Sequence, residues 1–187
     1  MEQLLQYIAD RVHLTAELKA GIIASFEQVP MRKRDKILRE GKRADYLYFV
    51  EKGILHNYYY HNDQPITSWF YTENYFVTAW HSFYSQRASF EEIECLEDGM
   101  LYRISYTNYQ KLITAHPAFN TFARILAEQT ITFIDEYGKG WSFLSAKEKY
   151  QQLQAHLPDI ELRVKLGLIA SFLGISQATL SRIRAAK

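Results

Sequence analysis

A run of polar and basic side chains near the C-terminus could bind nucleic acid. It lies on one side of a helix predicted over 176–187, for which Ser176 is placed as the N-cap. Amide, hydroxyl and guanidinium groups of this kind bind base edges in a major groove and the phosphate oxygens beside it. The candidate DNA-binding residues are therefore Ser176, Gln177, Thr179, Ser181, Arg182 and Arg184.

The residues before this run predict a helix-turn-helix. Two short helices that cross steeply need a small residue where they touch, which Ala170 supplies, and Gly174 suits the turn because glycine adopts a positive φ without strain. Ile175, Leu180 and Ile183 are spaced to lock the second helix onto the first. An ordinary helical hairpin with a glycine turn is the alternative, but it would not need an Arg-bearing outer face.

The charge of the chain is unevenly distributed. Residues 1–138 hold 14 Lys and Arg against 18 Asp and Glu, a net −4, whereas residues 139–187 hold 8 against 3, a net +5. A basic C-terminal segment on an acidic body is typical of a protein that binds nucleic acid through that segment. A chance excess of five charges is the alternative.

The first two thirds of the chain are rich in short β-type segments. Apolar residues at helical spacing over 3–27, with Thr15 as an N-cap, predict two initial helices. From Val29 to about Ser105, short runs of Tyr, Phe, Val and Ile alternate with turn signals at 52–53, 61–65 and 97–99. Several short strands at close spacing predict a small antiparallel barrel or roll, so the expected fold class is α+β.

A long helix is predicted after the β-rich region. Thr107 and Gln110 form a capping-box pattern for a first helix, and Pro117 opens the apolar segment Ala118–Tyr137. Its apolar positions cover more than one stripe, so this helix could pack on its own domain and on a partner chain. Burial inside a single large domain is the alternative.

The glycines at 138 and 140 mark the predicted domain boundary, because they relax the backbone. Ser145 and Glu148 form a capping box for a further helix that should stop at Pro158. The expected organisation is a β-roll sensor domain over 1–117, a dimerisation helix over 118–138 and a helix-turn-helix domain over 139–187.

Residue patterns for catalysis or metal binding are missing from the sequence. The single cysteine, Cys95, cannot form an internal disulfide or ligate an iron–sulfur cluster, and the six histidines show no metal-type spacing. No nucleotide-binding or triad motif is present, so an enzyme is not expected. There is no apolar run of ~20 residues and no signal peptide, which predicts a cytoplasmic protein without a membrane partner.

Three blocks of the sequence together resemble the cyclic-AMP receptor / fumarate-nitrate regulator (Crp–Fnr) family. They are residues 37–41 with 46–53, residues 95–105, and the helix-turn-helix. The resemblance implies a cyclic-nucleotide-binding-like β-roll of the jelly-roll type. It also implies a homodimer on palindromic double-stranded DNA, with a sensor state that sets DNA affinity. RNA polymerase is a further candidate partner.

The sequence departs from that family at the effector site. The family's Gly-Glu pair falls near Thr78 and Ala79, and its downstream Arg-Ser pair corresponds to Arg87 and Ser89. One ribose-binding acceptor is therefore missing, which argues against cyclic AMP. Arg87 could still pair with an anionic small-molecule effector, or it could be a solvated surface arginine. At Ala178 the family often has a base-reading glutamate, so the operator sequence cannot be inferred from relatives.

Two other functions remain open on the sequence. The chain could be a cyclic-nucleotide-like binding module that acts through protein partners, or a cupin-type β-barrel enzyme, which would need a His/carboxylate metal cluster. A cluster of aromatic residues could be core or a ligand-stacking pocket. Its members are Trp69, Phe70, Tyr71, Tyr75, Phe76, Trp80, Phe83 and Tyr84.

Overall fold

The computed structural model describes residues 1–185, and its body is a roll of two four-stranded antiparallel sheets. The strand order is β1-β8-β3-β6 in one sheet and β2-β7-β4-β5 in the other. The strands are β1 (Glu27–Met31), β2 (Lys36–Leu38), β3 (Tyr46–Lys52), β4 (Leu55–His61), β5 (Gln64–Tyr71), β6 (Phe76–Val77), β7 (Glu92–Cys95) and β8 (Gly99–Ser105). The predicted antiparallel roll is confirmed.

Turn residues set the register of the roll. Asn62 and Asp63 both have positive φ, at 50° and 59°, which is the backbone of a tight hairpin turn between β4 and β5. A side chain at Gly99 would bring its Cβ to 2.0 Å from the Lys52 carbonyl oxygen, so only glycine fits where β8 passes the end of β3. The predicted turns at 52–53, 61–65 and 97–99 are thus present.

Helices precede and follow the roll in sequence, and one helix lies between β6 and β7. They are α1 (Glu2–Ala9), α2 (Ala16–Ser25), α3 (Trp80–Ser85), α4 (Tyr106–Ala115) and α5 (Pro117–Gly140). Thr15 caps α2 as predicted, through its side chain and the Leu18 amide. The cap predicted for α4 was wrong, because Ser105, not Thr107, accepts the first-turn amide of Asn108. The end of β8 already places the Ser105 hydroxyl at the helix start.

Helix α5 runs through the predicted boundary. It begins at Pro117 as expected, but it stays helical over Gly138 and Gly140 and leads into a 3-10 turn at Trp141–Phe143. The glycines therefore do not interrupt the helix, and Tyr137 in its last turns packs on Trp69 and on Trp141 of the 3-10 turn.

Four further helices complete the described chain. They are α6 (Ala146–His156), α7 (Ile160–Arg163), α8 (Leu166–Leu173) and α9 (Gln177–Ala185). The Ser145–Glu148 capping box is present, and α6 ends before Pro158 as predicted. Residues 186 and 187, the end of the predicted recognition helix, lie outside the described residues.

Candidate nucleic-acid interface

Helices α8 and α9 form a helix-turn-helix, bent by 98° at the turn. Gly174 has φ 68° and ends α8, and the Ile175 amide donates to the Ala170 carbonyl at 3.0 Å. This hydrogen bond closes the end of α8 in the way that left-handed glycine caps do. Because glycine alone adopts this backbone freely, Gly174 fixes the direction in which α9 leaves.

The predicted locking residues hold α9 against α8. Leu180 is fully buried, and Ala170 is 3% exposed at the contact between the helices. Ile175 and Ile183 are partly buried against the same core. The opposite side of α9 is consequently the exposed one.

The first turn of α9 is organised by its own hydroxyl groups. The Ser176 hydroxyl accepts from the Thr179 amide at 3.1 Å and lies 2.9 Å from the Thr179 hydroxyl. Arg182 then donates to that Thr179 hydroxyl across 3.3 Å. Ser176 and Thr179 therefore act mainly as a cap that orients Arg182.

The remaining candidate residues differ in how freely they are presented. Gln177, Ser181 and Arg182 are exposed. Arg184 is tied back, since its Nε lies 2.9 Å from Oε1 of Glu161 on α7, although that oxygen has no aligned hydrogen bond. The exposed polar side chains of α9 outside this ion pair are thus an amide, a hydroxyl and a guanidinium, groups that bind base edges and phosphates.

Helix α8 also contacts the β-roll through the hydroxyl group of Ser171. The Ser171 hydroxyl accepts from the Thr67 amide and donates to the Pro65 carbonyl, both at 3.2 Å. These backbone groups belong to β5, which is the outer strand of its sheet. Ser171 therefore provides hydrogen-bond partners for two backbone groups at the open edge of this sheet.

An ion-pair cluster joins the roll to α7. Arg163 donates two hydrogen bonds of 2.8 Å to Glu73 and also pairs with Glu97. Burial by itself would raise the pKa of Glu73, but hydrogen bonds from Arg163 and from the Gly53 amide outweigh it and hold the pKa below its usual range. The same carboxylates raise the pKa of Arg163, so this cluster is charged at neutral pH.

The aromatic cluster predicted from the sequence is divided between the core and this contact. Trp69 packs edge-on against Phe133 of α5 and Phe172 of α8, with ring centroids 4.6 and 5.4 Å apart. Tyr137 and Trp141 complete a box of rings around Phe172. These contacts connect the roll, the long helix and the helix-turn-helix in one apolar unit.

The candidate effector residues are mostly engaged within the protein. The Thr78 hydroxyl donates to the Tyr46 carbonyl at 2.9 Å, and Ala79 is buried at the start of α3. Ser89 is buried and hydrogen-bonded to the backbone of residue 91, whereas Arg87 is exposed. Of the four candidate effector residues, Arg87 is therefore the one whose charged group is exposed and could bind an anion.

Residues of the docking contact were missed by the sequence analysis. Phe172 belongs to an apolar run and was indistinguishable from ordinary core, and Ser171 and Arg163 carry no local signal of a distant partner. In the sequence, the signal available for this contact was the aromatic cluster that contains Trp69, which packs on Phe172.

Among residues 1–185, no group of three His, Cys, Asp or Glu side chains could hold a metal ion. No single helix in that range is long and apolar enough to cross a membrane, and α8 with α9 meets the length and composition test only as a bent pair.

The architecture defines a class: a β-roll, a long helix and a helix-turn-helix, the fold of Crp/Fnr-type transcription regulators. No family model matches the sequence, and no curated protein does. The c-di-GMP-responsive global regulator CLP of Xanthomonas campestris is similar, with TM-score 0.69, 17% identity, and coverage of 92% of this chain and 91% of that one.

Two further solved structures share this fold. The catabolite activator protein of Thermus thermophilus has TM-score 0.58 and 20% identity, over 93% of this chain and 84% of that chain. A Eubacterium rectale protein assigned to the crp/fnr family of transcriptional regulators has TM-score 0.71 and 16% identity, over 91% of this chain and 82% of that chain. At these identities the shared property is the fold.

Proposed function

We propose that the chain is a dimeric, sequence-specific DNA-binding transcription regulator that is not an enzyme and acts in the cytoplasm. The observation that carries the proposal is the exposed side of α9, where Gln177, Ser181 and Arg182 stand on a helix locked at 98° to its partner. This motif lies within a fold shared with a global regulator and with a protein assigned to the crp/fnr family of transcriptional regulators. Double-stranded DNA is the partner that such a surface fits.

The dimer is supported by an apolar stripe on α5. Ile131 and Ile134 are 66% and 55% exposed, and Ala127 and Gly138 continue the same side of the helix at spacings of four and three residues. Such a stripe has the spacing of a two-helix seam. The opposite side of α5 is already buried on the roll through residues such as Phe122 and Leu126, so a second copy would cover the free side.

The β-roll is the proposed sensor, and its effector is a small molecule other than cyclic AMP. Arg87 is exposed beside the buried Thr78, Ala79 and Ser89, and no carboxylate stands at the Gly-Glu positions of the segment. A binding module that acts through protein partners would have the same roll, but the exposed guanidinium of Arg182 on a basic segment favours DNA.

Selection of bound duplexes from a random DNA pool tests the function. The wild-type chain should enrich a palindromic site. If Arg182 binds a base, Arg182→Ala should relax the preference at one position of each half-site, at a cost of roughly 1–3 kcal/mol. If it holds a phosphate, binding should weaken uniformly and the salt slope should fall by about one.

Ser142→Ala is the matched control, because Ser142 is exposed outside the helix-turn-helix. Its selected site should equal that of the wild type. Gln177→Ala and Arg182→Ala proteins that fold, dimerise and bind every duplex as the wild type does would contradict the DNA-binding function.

A further inference from the structure

A buried histidine lies on the face of the β-roll that α8 covers. His56 of β4 is 4% exposed, and it is the register partner of Phe70 on β5. The two rings stack with centroids 6.2 Å apart and planes 11° apart, so both side chains are on one face of the sheet. Phe172 of α8 packs edge-on against Phe70 at 5.5 Å. Helix α8 therefore covers the ring on which His56 stacks.

A second, polar connection leads from His56 to the same turn of α8. Nδ1 of His56 lies 3.3 Å from the Thr67 hydroxyl, and the Thr67 amide donates to the Ser171 hydroxyl at 3.2 Å. Ser171 and Phe172 are adjacent in α8, so the apolar and the polar connection end at neighbouring residues. Movement of α8 away from the sheet removes a contact from both residues that hold the imidazole.

The titratable side chains around this histidine belong to the strands, because α8 itself has none. They are Tyr58 of β4, Lys36 of β2, and Glu92 and Glu94 of β7. Glu92 pairs with Lys36 and accepts from the Tyr58 hydroxyl. Glu94 is the register partner of His56 but lines a cleft with Arg163. Burial, rather than any of these charges, sets the pKa of His56, and it lowers that pKa to about 4.

The docked arrangement therefore holds His56 in its neutral form. An imidazolium between aromatic rings lacks the solvation that a charge needs, which is why burial disfavours it. Once α8 leaves the sheet, water reaches the ring, and an exposed histidine has its ordinary pKa of 6.5. Proton uptake thus favours the open arrangement over the docked one.

We propose that docking of α8 on the β-roll is coupled to the protonation of His56, so that acid releases the helix-turn-helix from the roll. Opening takes up one proton between pH 6.5 and about 4, so the docked arrangement is fully favoured above this range and loses stability as the pH falls through it. Lowering the pH from 7.5 to 5.5 should raise the ratio of open to docked protein about tenfold.

The consequence for DNA rests on the proposed function, whereas the coupling does not. Helix α9 follows α8 through the turn at Gly174, so release of α8 also frees α9 from its position on the roll. In the proposed regulator, proton uptake at a residue of the β-roll would thus change how α9 is presented to DNA.

Titration of the His56 ring by NMR, in the full chain without DNA, tests the coupling. The wild-type ring should titrate near pH 4. Phe172→Ala removes the ring of α8 that covers Phe70, and should move the midpoint upward by at least about one pH unit, towards 6.5. Phe143→Ala is the matched control, because Phe143 is 89% exposed, and it should leave the titration unchanged. Equal midpoints in Phe172→Ala and the wild type overturn the coupling, and so does a wild-type midpoint near 6.5.

Hydrogen exchange gives a second measurement, which does not require Phe172→Ala to fold. In the wild type, protection of the Thr67 amide, corrected for the intrinsic exchange rate, should fall about tenfold between pH 7.5 and 5.5. Thr67 should also exchange faster than the buried Val50 amide of the other sheet at each pH, because the opening is local.

His56→Phe should lack this loss of Thr67 protection. The same pH dependence in His56→Phe and the wild type overturns the coupling, as does a Thr67 amide that exchanges no faster than Val50. Neither measurement uses DNA, so a failure of the chain to bind DNA is a separate result that bears on the proposed function alone.

Discussion

His56 lies in the interior of β4 with 4% of its surface exposed, between the rings of Tyr58 and Phe70. Its Nδ1 is 3.3 Å from the Thr67 hydroxyl, and no acidic side chain within residues 1–185 accepts a hydrogen bond from its ring. Burial therefore lowers the pKa of His56 from 6.5 to about 4. The neutral imidazole is part of the core, and protonation opposes folding.

The sign of the pH effect follows from this depressed pKa. Between pH 6.5 and about 4 the unfolded chain takes up a proton at His56 that the folded chain does not. The free energy of unfolding therefore decreases as the pH is lowered, by up to about 3 kcal/mol. Chemical unfolding at a series of pH values measures it. His56→Phe should remove this part of the slope, and an unchanged slope in that variant would contradict the assignment.

At the scale of elements, the contact between α8 and β5 connects the helix-turn-helix to the β-roll. Ser171→Ala removes the hydroxyl that bridges the Thr67 amide and the Pro65 carbonyl. One hydrogen bond contributes about 1 kcal/mol, so amide exchange at Thr67 should accelerate by roughly threefold to tenfold. Hydrogen exchange followed by NMR gives the rate at that residue. Ser181→Ala is the control, and a Thr67 amide equally protected in both variants would refute the docking contact.

At the scale of the whole molecule, the proposed dimer makes a prediction about α5. Ile131→Glu with Ile134→Glu places charges in the exposed stripe and should convert dimers to monomers in sedimentation, with folding retained. Leu126→Glu is unsuitable, because Leu126 is 5% exposed inside its own chain and the charge would unfold the protomer.

Ile23→Glu on α2 is the matched control for this prediction, since Ile23 is 47% exposed and lies far from the stripe in sequence. It should remain dimeric. A wild-type chain that sediments as a monomer at micromolar concentration would exclude the α5 dimer, and so would a stripe variant that stays dimeric.

Features that depend on a few adjacent residues were predictable from the sequence. The Thr15 cap, the Ser145–Glu148 box, the start of α5 at Pro117 and the glycine turn at 174 are all present as predicted. Each depends on backbone geometry within about one helical turn, so the residue types alone carry the information. The short apolar runs that alternate with turn residues, which predict the strands, and the residue spacing that predicts the helix-turn-helix also depend on residues close together in the sequence.

Only the tertiary structure decided how these pieces meet. Arg163 pairs with Glu73 across 90 residues, and Ser171 reaches Pro65 across 106. Nothing in their neighbouring residues marks such partners, because a long-range contact depends on where the whole chain brings two elements together. The same holds for α4, where the end of β8 makes Ser105 the cap, and for Gly138 and Gly140, which stay helical in α5. Local sequence determined the helices and strands, and the packing of distant surfaces determined the contact between the β-roll and the helix-turn-helix.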